Sequence, residues 1–414
     1  MTTHTTLPGL PQPFGDAYRA DPHGVFTTLR AQAPVHQVQL PDGSQAWLVT
    51  READVRAGLA DPRLSVDKRH AAAGYRGFSL PPALDANLLN LDGADHLRLR
   101  RLVSQAFTPR HVAGLRPRIE RAATELADRL AGRIAAEGRA DLVAGFAAVL
   151  PLTVIGDLFA VPEADRVRFA ALAGGMLAPR RPQDVVEAVT GLHALLVDLV
   201  AVRRAAPGAD LLSALIAARD EDDRLSEDEL VSLAFLILLA GSENTGAVIS
   251  GGVLTLLQHP DRLAAVRRDP ALLPGVIEEL LRHVHPNQTA IRRFPTEPVE
   301  IGGVTVPAGE TVLLGLSSAH RDAARYPDPD RFDPTREDLG HLALGHGVHY
   351  CLGAPLARLE LAVAFEVLFT RLPGLALAVP AAELPWQTTF RSHALKELPV
   401  TSSPLEPPHR HPLP

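Results

Sequence analysis

The feature that most constrains the fold is an apolar segment of about 30 residues with the start and stop signals of one long helix. Ser226 and Glu229 have the spacing of a capping box, in which each residue caps the backbone of the other. Pro260 cannot continue a helix and marks its end. At the usual rise per residue, such a helix is roughly 45 Å long. Only a large domain can surround a helix of that length with apolar side chains.

The same segment is apolar enough to cross a membrane, and its polar centre decides between the two interpretations. Ser242, Glu243, Asn244 and Thr245 lie at its middle, where a carboxylate in lipid would be costly. The N-terminal residues contain no basic patch followed by an apolar run, so they predict neither a signal peptide nor a membrane anchor. We therefore expect a buried helix in a soluble, cytoplasmic protein.

The remaining pattern predicts a mainly α fold with small β-sheets. Apolar residues at three- and four-residue spacing predict helices over most of 94–270, and a last helix is expected from Pro355 to Arg371. Alternation around Asp42-Gly43 predicts a hairpin over 35–50, and the pattern over 290–316 is typical of strands. No linker divides the chain. We expect one domain over 1–401 and a disordered, proline-rich tail over 402–414.

Charge and cysteine content exclude several classes of protein. The formal net charge of −7 argues against a nucleic-acid-binding protein, which usually carries a basic patch. One cysteine in 414 residues excludes an intramolecular disulfide framework and fits a reducing compartment. A GxGxxG fingerprint between a strand and a helix is also missing, so the sequence predicts no dinucleotide site.

The single cysteine, Cys351, lies in a Gly- and His-rich loop, LGHGVHYCLG at 344–353. Glycines let the backbone approach a flat ligand closely, and Pro355 opens a helix whose N-terminus would favour a thiolate. A thiolate ligand on haem iron assists O–O cleavage. The alternative is a zinc site at His341, His346, His349 and Cys351, but the paired ligands at repeated spacing that are typical of zinc are missing.

This loop resembles the cysteine-loop signature of cytochromes P450, F-x-x-G-x-x-x-C-x-G, with Leu344 in place of the usual Phe. The resemblance implies haem b as cofactor, with Cys351 as the axial iron ligand and His349 against a haem propionate. Replacing Phe by Leu removes a ring near the sulfur, which changes the iron potential but not the ligand. The residues implied at the cofactor here are Leu344, Gly345, His349, Cys351 and Gly353.

Two further matches occur in the family's order. Glu279-Leu280-Leu281-Arg282 is similar to E-x-x-R, whose role in the family is structural, and the two charges share one helix face. His96 and Arg100 are similar to the family's H-x-x-x-R, whose donors suit haem propionates. The resemblance implies Arg293 as a third propionate partner, although the adjacent Arg292 makes that assignment less certain.

The centre of the long helix, Ala240-Gly241-Ser242-Glu243-Asn244-Thr245, resembles the A-G-x-[D/E]-T oxygen-activation motif. The resemblance places Ala240 and Gly241 at the cofactor, with Gly241 leaving room over the haem face. It implies Glu243, Asn244 and Thr245 as the residues that organise water and deliver protons. Asn244 occupies the position of the usual Thr and lacks a hydroxyl proton to relay. Asn244 orders the water itself, or a substrate hydroxyl substitutes, or electron use is less well coupled to product.

The resemblance covers about residues 15–401 and implies a soluble, actinobacterial-type monooxygenase. It would insert one oxygen atom of O2 into a medium-sized or large substrate of secondary metabolism, such as a macrolide, terpenoid or peptide. Electrons would come from a ferredoxin and its reductase, docked near Arg98, Arg101, Arg110 and Arg358.

Two alternatives stay open: a peroxide-driven, coupling or rearranging haem-thiolate enzyme, and a haem-binding sensor without turnover. By analogy with the family, the substrate-binding residues are Leu89, Leu236, Ala240, Asn287, Thr289, Ala290 and Phe390.

Overall fold

The structure is a computed structural model that describes part of the chain. The described residues are 10–75, 80, 82–85, 87–104, 107–177, 181–208, 210–220 and 225–402. The predicted proline-rich tail lies, apart from Ser402, outside them.

Helices account for most of the described residues, as the sequence predicts. In chain order they are α1 (Asp16–Ala20), α2 (Pro22–Gln32), α3 (Glu52–Ala60), α4 (Pro82–Asp85), α5 (Gly93–Ser104), α6 (Pro109–Ala113), α7 (Arg116–Glu137), α8 (Val149–Leu158), α9 (Glu163–Leu177), α10 (Pro182–Ala205), α11 (Leu211–Asp220), α12 (Glu227–Gln258), α13 (Pro260–Arg268), α14 (Leu273–His283), α15 (Leu316–His320) and α16 (Ala354–Arg371).

The strands are short. They are β1 (Val35–Gln39), β2 (Gln45–Val49), β3 (Leu64–Ser65), β4 (Ala140–Asp141), β5 (Phe294–Pro295), β6 (Val299–Ile301), β7 (Val304–Val306), β8 (Val312–Leu314), β9 (Ala376–Leu377), β10 (Trp386–Thr388), β11 (His393–Leu395) and β12 (Pro399–Thr401). The predicted hairpin at 35–50 is confirmed as β1 and β2, and the predicted strands over 290–316 as β5 to β8.

The described residues form two compact units. The first comprises the described parts of 1–100, 281–351 and 388–393. Its main sheet has the order β1-β2-β8, with β1 antiparallel and β8 parallel to β2. One hydrophobic cluster of this unit joins aliphatic side chains of the sheet to those of α3, β6, β7 and α15. A second cluster contains the rings of Phe14, Tyr18 and Phe26.

The second unit comprises the described parts of 101–280, 352–387 and 394–402. It is mostly helical: α7 packs on α16, α9 on α10, and α12 on both α8 and α16. A small antiparallel sheet has the order β4-β12-β9. The expectation of one domain over 1–401 stays a prediction.

The long helix is confirmed as α12, 32 residues from Glu227 to Gln258. Its capping box forms as expected: the Glu229 amide donates to Ser226 Oγ at 3.1 Å, and the Ser226 amide donates to Glu229 Oε2 at 2.8 Å.

By length and composition alone, Gln183–Ala205 and Glu227–Gln258 are both apolar enough to cross a membrane. The apolar window of Glu227–Gln258 is 67% buried inside the protein, as in a core helix, whereas that of Gln183–Ala205 is 39% buried.

Candidate active site

The cysteine loop is a tight turn whose backbone favours glycine at two positions. Gly345 and Gly347 have φ angles of 75° and 73°, in the left-handed region. A Cβ on Gly347 would also lie 3.1 Å from Ala60 Cα and 3.2 Å from Leu59 O. Beyond this turn Cys351 is half-buried, and its amide donates to Leu344 O at 2.8 Å. The loop therefore holds the backbone of Cys351 in a defined position.

A buried imidazole fixes the start of the loop. The Leu342 amide donates to His320 Nε2 at 3.1 Å, and the Gly345 amide donates to Leu342 O at 2.9 Å. Arg282 Nη1 in turn donates to His320 O at 2.7 Å. His320 and Arg282 are both almost completely buried, so this chain of hydrogen bonds is shielded from water.

Arg282, the arginine of the E-x-x-R match, thus has a structural role rather than that of a surface ion-pair partner. It also donates to Pro329 O at 2.8 Å and to Arg331 O at 3.2 Å. Glu279 is fully buried on the same helix, α14.

The four side chains predicted to face haem propionates lie close together in the first unit. The rings of His96 and His349 are 4.3 Å apart between centroids, and Arg100 Nη2 donates to Tyr350 O at 2.6 Å. Arg293 Nη1 donates to Leu64 O at 3.3 Å. Burial, with the nearby His349 and Arg100, lowers the pKa of His96 to about 4. Burial also lowers the pKa of Arg293 to about 10, against the attraction of Asp92.

This cluster fits an anionic cofactor. His96 Nε2 and Arg293 Nε are buried and have no hydrogen-bond partner among the residues that the structure describes, although unpaired buried donors are costly. The two carboxylates of haem b would supply both acceptors and negative charge. Nε of Arg292, the other candidate in the sequence, likewise has no partner in the described part of the chain, but its Nη2 forms an ion pair with Asp42 Oδ2 at 3.1 Å. The geometry therefore favours Arg293.

Asp92 belongs to this cluster and is not singled out by the sequence motifs. His349 Nε2 donates to Asp92 Oδ1 at 2.9 Å, and Ser65 Oγ and the Val66 amide donate to Asp92 Oδ2 at 2.6 and 2.8 Å. These hydrogen bonds, from His349 first, hold the pKa of Asp92 well below its ordinary value despite the opposing effect of burial. The carboxylate is therefore ionised at neutral pH.

In the second unit, the middle of α12 has one accessible strip on an otherwise buried helix. Ala240 and Glu243 are exposed, and Asn244 and Ala247 are half-buried, at the three- and four-residue spacing of one helix face. Although the Glu243 side chain is accessible, the atoms around it desolvate the carboxylate and raise its pKa above the ordinary value. Thr245 is buried and lies off the strip.

The expected place of Gly241 at the haem face stays a prediction, but the space left by its missing side chain is used within the second unit. A Cβ at Gly241 would lie 2.6 Å from Ile155 Cδ1, so the space left by glycine is filled by α8. Ser242 Oγ donates to Leu238 O at 2.9 Å, which satisfies its hydroxyl within the helix.

Several predicted substrate-binding residues meet in the first unit. The Gln288 amide donates to Arg391 O at 2.9 Å, and Thr289 Oγ1 donates to Phe390 O at 3.3 Å. Asn287 pairs with Ser392 in an isolated antiparallel bridge. The other predicted positions differ in burial: Leu89 is exposed and Ala290 half-buried, whereas Leu236 is buried on α12 one turn before Ala240.

Cationic side chains and aromatic rings alternate across the segments around Lys68, Arg292 and Phe390. The sequence motifs do not indicate this arrangement. The Arg292 guanidinium carbon lies 5.7 Å from the Tyr75 ring centroid and 5.8 Å from that of Phe390. Lys68 Nζ covers Tyr75 at 4.8 Å, and Arg391 covers Phe390 at 5.3 Å. We call these five residues the cation–ring ladder.

The alternative zinc site is not supported. In the portions of the chain that the structure describes, no group of three or more His, Cys, Asp or Glu side chains could hold a metal ion.

Comparison with known proteins agrees with the motifs. The family model for cytochrome P450 matches residues 182–372. The cytochrome P450 monooxygenase PikC of Streptomyces venezuelae is 44% identical, over 93% of this chain and 92% of its own. The 6-deoxyerythronolide B hydroxylase of Saccharopolyspora erythraea is 42% identical, over 96% of this chain and 99% of its own. The solved structure of the P450 monooxygenase TamI with tirandamycin C has a TM-score of 0.86 at 40% identity, and covers 95% of this chain and 100% of that one.

Such identity over nearly the full length, together with Cys351 in its glycine-turn loop and a basic cluster suited to propionates, decides the family. The chain belongs to the cytochromes P450 and is a monooxygenase that binds haem through the thiolate of Cys351.

Proposed function

We propose that this monooxygenase hydroxylates or epoxidises a medium-sized or large, partly oxygenated substrate of bacterial secondary metabolism. The observation that carries the proposal is the accessible strip of α12, where Glu243 and Asn244 interrupt a buried apolar helix. Although the strip is accessible, its surroundings desolvate the Glu243 carboxylate, which has a cost in folding free energy. A role in handling water and protons accounts for their presence.

Each residue has a distinct part in this proposal. Haem, held through Cys351, supplies the activation of O2. His96, Arg100, Arg293 and His349 bind and orient its carboxylates. The Glu243 carboxylate takes up a proton from solvent and releases it again, since its raised pKa brings it closer to neutral pH. The Asn244 carboxamide holds a water molecule as both donor and acceptor, without supplying a proton of its own.

The substrate class is supported by two of the similar proteins. One is named as a hydroxylase of 6-deoxyerythronolide B, and a solved structure holds tirandamycin C. We place the substrate against the predicted positions Leu89, Leu236, Ala240, Asn287, Thr289, Ala290 and Phe390.

A ferredoxin with its reductase is the proposed electron donor, in the cytoplasm. Of the candidate docking residues, Arg101 and Arg110 are exposed. Arg358 donates to both carboxylate oxygens of Glu278 at 2.6 and 2.8 Å. We therefore assign docking to Arg101 and Arg110 before Arg358, because their charges are more available to an acidic partner.

A peroxide-driven enzyme is the second candidate. The observation in its favour is that Asn244 lies on the accessible strip, whereas the nearest hydroxyl of the motif, that of Thr245, is on a buried side.

Product analysis separates these functions. The haem protein is incubated with a macrolactone panel that includes 6-deoxyerythronolide B, with isotopically labelled O2 and either ferredoxin, reductase and NADPH or hydrogen peroxide alone. We expect a product that carries one labelled oxygen atom in the ferredoxin reaction, and none from Cys351→Ala, whose CO spectrum should lose its thiolate character. Product with peroxide only would establish the second candidate.

A further inference from the structure

We propose that Asp92 is a positioning residue for the haem: its carboxylate orients His349 and joins the segments that hold the propionates. The proposal uses the same haem site as the proposed function, but it does not depend on which substrate is oxidised.

Asp92 accepts hydrogen bonds from two distant parts of the chain. Oδ1 accepts from His349 Nε2 in the cysteine loop, and Oδ2 accepts from Ser65 Oγ and the Val66 amide at the end of β3. Hydrogen bonds to an ionised acceptor are roughly twice as strong as neutral ones. The Asp92 side chain is 31% exposed, whereas that of His349 is 13% exposed. The imidazole is thus the more enclosed partner.

The other propionate-binding residues lie one step from these contacts. Asp92 directly precedes α5, and its carbonyl accepts the His96 amide at 3.4 Å. Arg293 Nη1 reaches the carbonyl of Leu64, the neighbour of Ser65. Asp92 is also the acidic side chain that acts electrostatically on both His96 and Arg293. One carboxylate therefore connects the segments that carry His96, Arg293 and His349.

The contact with His349 also decides which ring edge is available. Since Nε2 donates to Asp92, this contact fixes the orientation of the ring, and a haem carboxylate must approach the ring from its other edge. Carboxylates that orient a histidine toward a metal site or cofactor in this way usually matter for affinity without touching the bound group. Asp92 has the position and the charge for that role.

The test compares Asp92→Asn with Asp95→Asn. Asp95 is a matched control three residues further along, in the first turn of α5, and its side chain is 70% exposed and 3.7 Å from Arg98. The measurements are the rate of haem transfer from the ferric holoprotein to apomyoglobin and the midpoint potential of the iron. We expect Asp92→Asn to release haem about ten- to a hundredfold faster. We also expect a more positive potential, because a negative charge near the iron is lost. Asp95→Asn should behave like the unaltered protein.

A double-mutant cycle with His349→Gln distinguishes positioning from a general structural effect. If Asp92 acts through His349, adding Asp92→Asn to His349→Gln should increase the rate of haem release very little. Asp92→Glu, which keeps the carboxylate, should release haem nearly as slowly as the unaltered protein. If Asp92→Asn yields no haem protein, Ser65→Ala removes one donor to the same carboxylate and should speed release by a smaller factor.

The inference would be overturned if Asp92→Asn had the haem-release rate and iron midpoint potential of the unaltered protein. Equal effects of Asp92→Asn and Asp95→Asn would also overturn it, as would fully additive effects of Asp92→Asn and His349→Gln on haem release. Each of these outcomes leaves the proposed function intact. Failure of the proposed function would instead appear as a missing oxygenated product from an unaltered protein that holds haem normally.

Discussion

At position 244 the chain has a carboxamide where the family motif has a hydroxyl. Asn244 shares the accessible strip of α12 with Glu243, and Thr245 is buried. The neighbouring hydroxyl therefore does not take the place of the missing one. Water ordering by Asn244, a substrate hydroxyl in place of the missing one, and weaker coupling of electron use to product all stay predictions.

Asn244→Thr restores a hydroxyl on the strip. We expect unchanged haem binding and an increase of about twofold or more in the product formed per NADPH consumed. This increase is small compared with the roughly hundredfold rate enhancement that a well-placed proton donor can contribute. Product and NADPH consumption are measured in the same reaction. Thr245→Ser, which keeps a buried hydroxyl, serves as the control. An unchanged ratio in Asn244→Thr would mean that position 244 takes no part in proton delivery.

Individual site residues were predictable where a short motif carries the information. Cys351, His96 and Arg293 follow from local patterns, and the structure gathers His96 and Arg293 with His349. Asp92 could not be predicted from a local pattern, because its partner His349 is 257 residues away in the sequence. In addition, an Asp followed by a Gly is typical of an ordinary turn. Its position before Gly93 and four residues before His96 is the only signal, and it becomes meaningful once the contact is seen.

Among the elements, α12 packs through its apolar side chains and also through a close approach of its backbone to the backbone just before α8. A Cβ on Gly246 would lie 2.7 Å from Ala147 O and 3.3 Å from Ala148 Cα. Ala147 ends a π-helical turn over Val143–Ala147, directly before α8. Backbone atoms cannot move aside as a flexible side chain can, so this crossing needs glycine.

Gly246→Ala should therefore lower the free energy of unfolding by about 1–3 kcal/mol, the usual cost of overpacking. The matched control is Gly132→Ala on α7, where nothing lies within 4 Å of the added Cβ. That substitution should raise the free energy by about 0.5–1 kcal/mol, the gain from Ala over Gly in a helix. Urea unfolding followed by circular dichroism measures both. Equal effects at the two positions would contradict the close-approach argument.

The elements themselves were largely predictable, because their signals are local. The capping box at Ser226 and the stop at Pro260 give the limits of α12 to within a residue, and Asp42-Gly43 marks the β1–β2 turn. Contacts between elements are harder to predict from the sequence. The family resemblance implies that Gly241 leaves room over the haem face, and the structure shows that its missing Cβ makes room for Ile155 of α8. The sequence indicates that a helix contains a glycine but not which neighbour requires it.

Across the whole molecule, several histidines are buried in places that do not accept a charge. Burial lowers the pKa of His285 to about 4 and that of His393 to about 4. It also lowers that of His23 to about 3, with help from Arg321. The rings of His285, His320 and His341 form a row with centroids 5.9 and 6.2 Å apart. His320 Nε2 accepts the Leu342 amide, and a proton there would break that bond.

Acid should therefore destabilise the fold. A histidine whose pKa is lower in the folded than in the unfolded state contributes its full stability above pH of about 6.5 and loses it as the pH falls towards about 4. For His285 the loss is on the order of 3 kcal/mol. Glu360 opposes this trend, because burial raises its pKa well above the ordinary value.

The measurement is the urea midpoint of the protein and of Glu360→Gln at pH values from about 7.5 to about 4.5. We expect the midpoint to fall with acidification in both proteins, and more steeply in Glu360→Gln, which lacks the opposing group. A flat profile in that variant would contradict the histidine argument.

The cation–ring ladder has a consequence for engineering by recombination. Lys68, Tyr75, Arg292, Phe390 and Arg391 come from three separated stretches of chain, and Arg292 contacts a ring from each of the other two stretches. A crossover that imports the 388–393 turn from a homologue without Phe390 would remove one of the two rings that cover the buried Arg292 guanidinium. Chimaeras aimed at new substrates should therefore exchange the three stretches as one block.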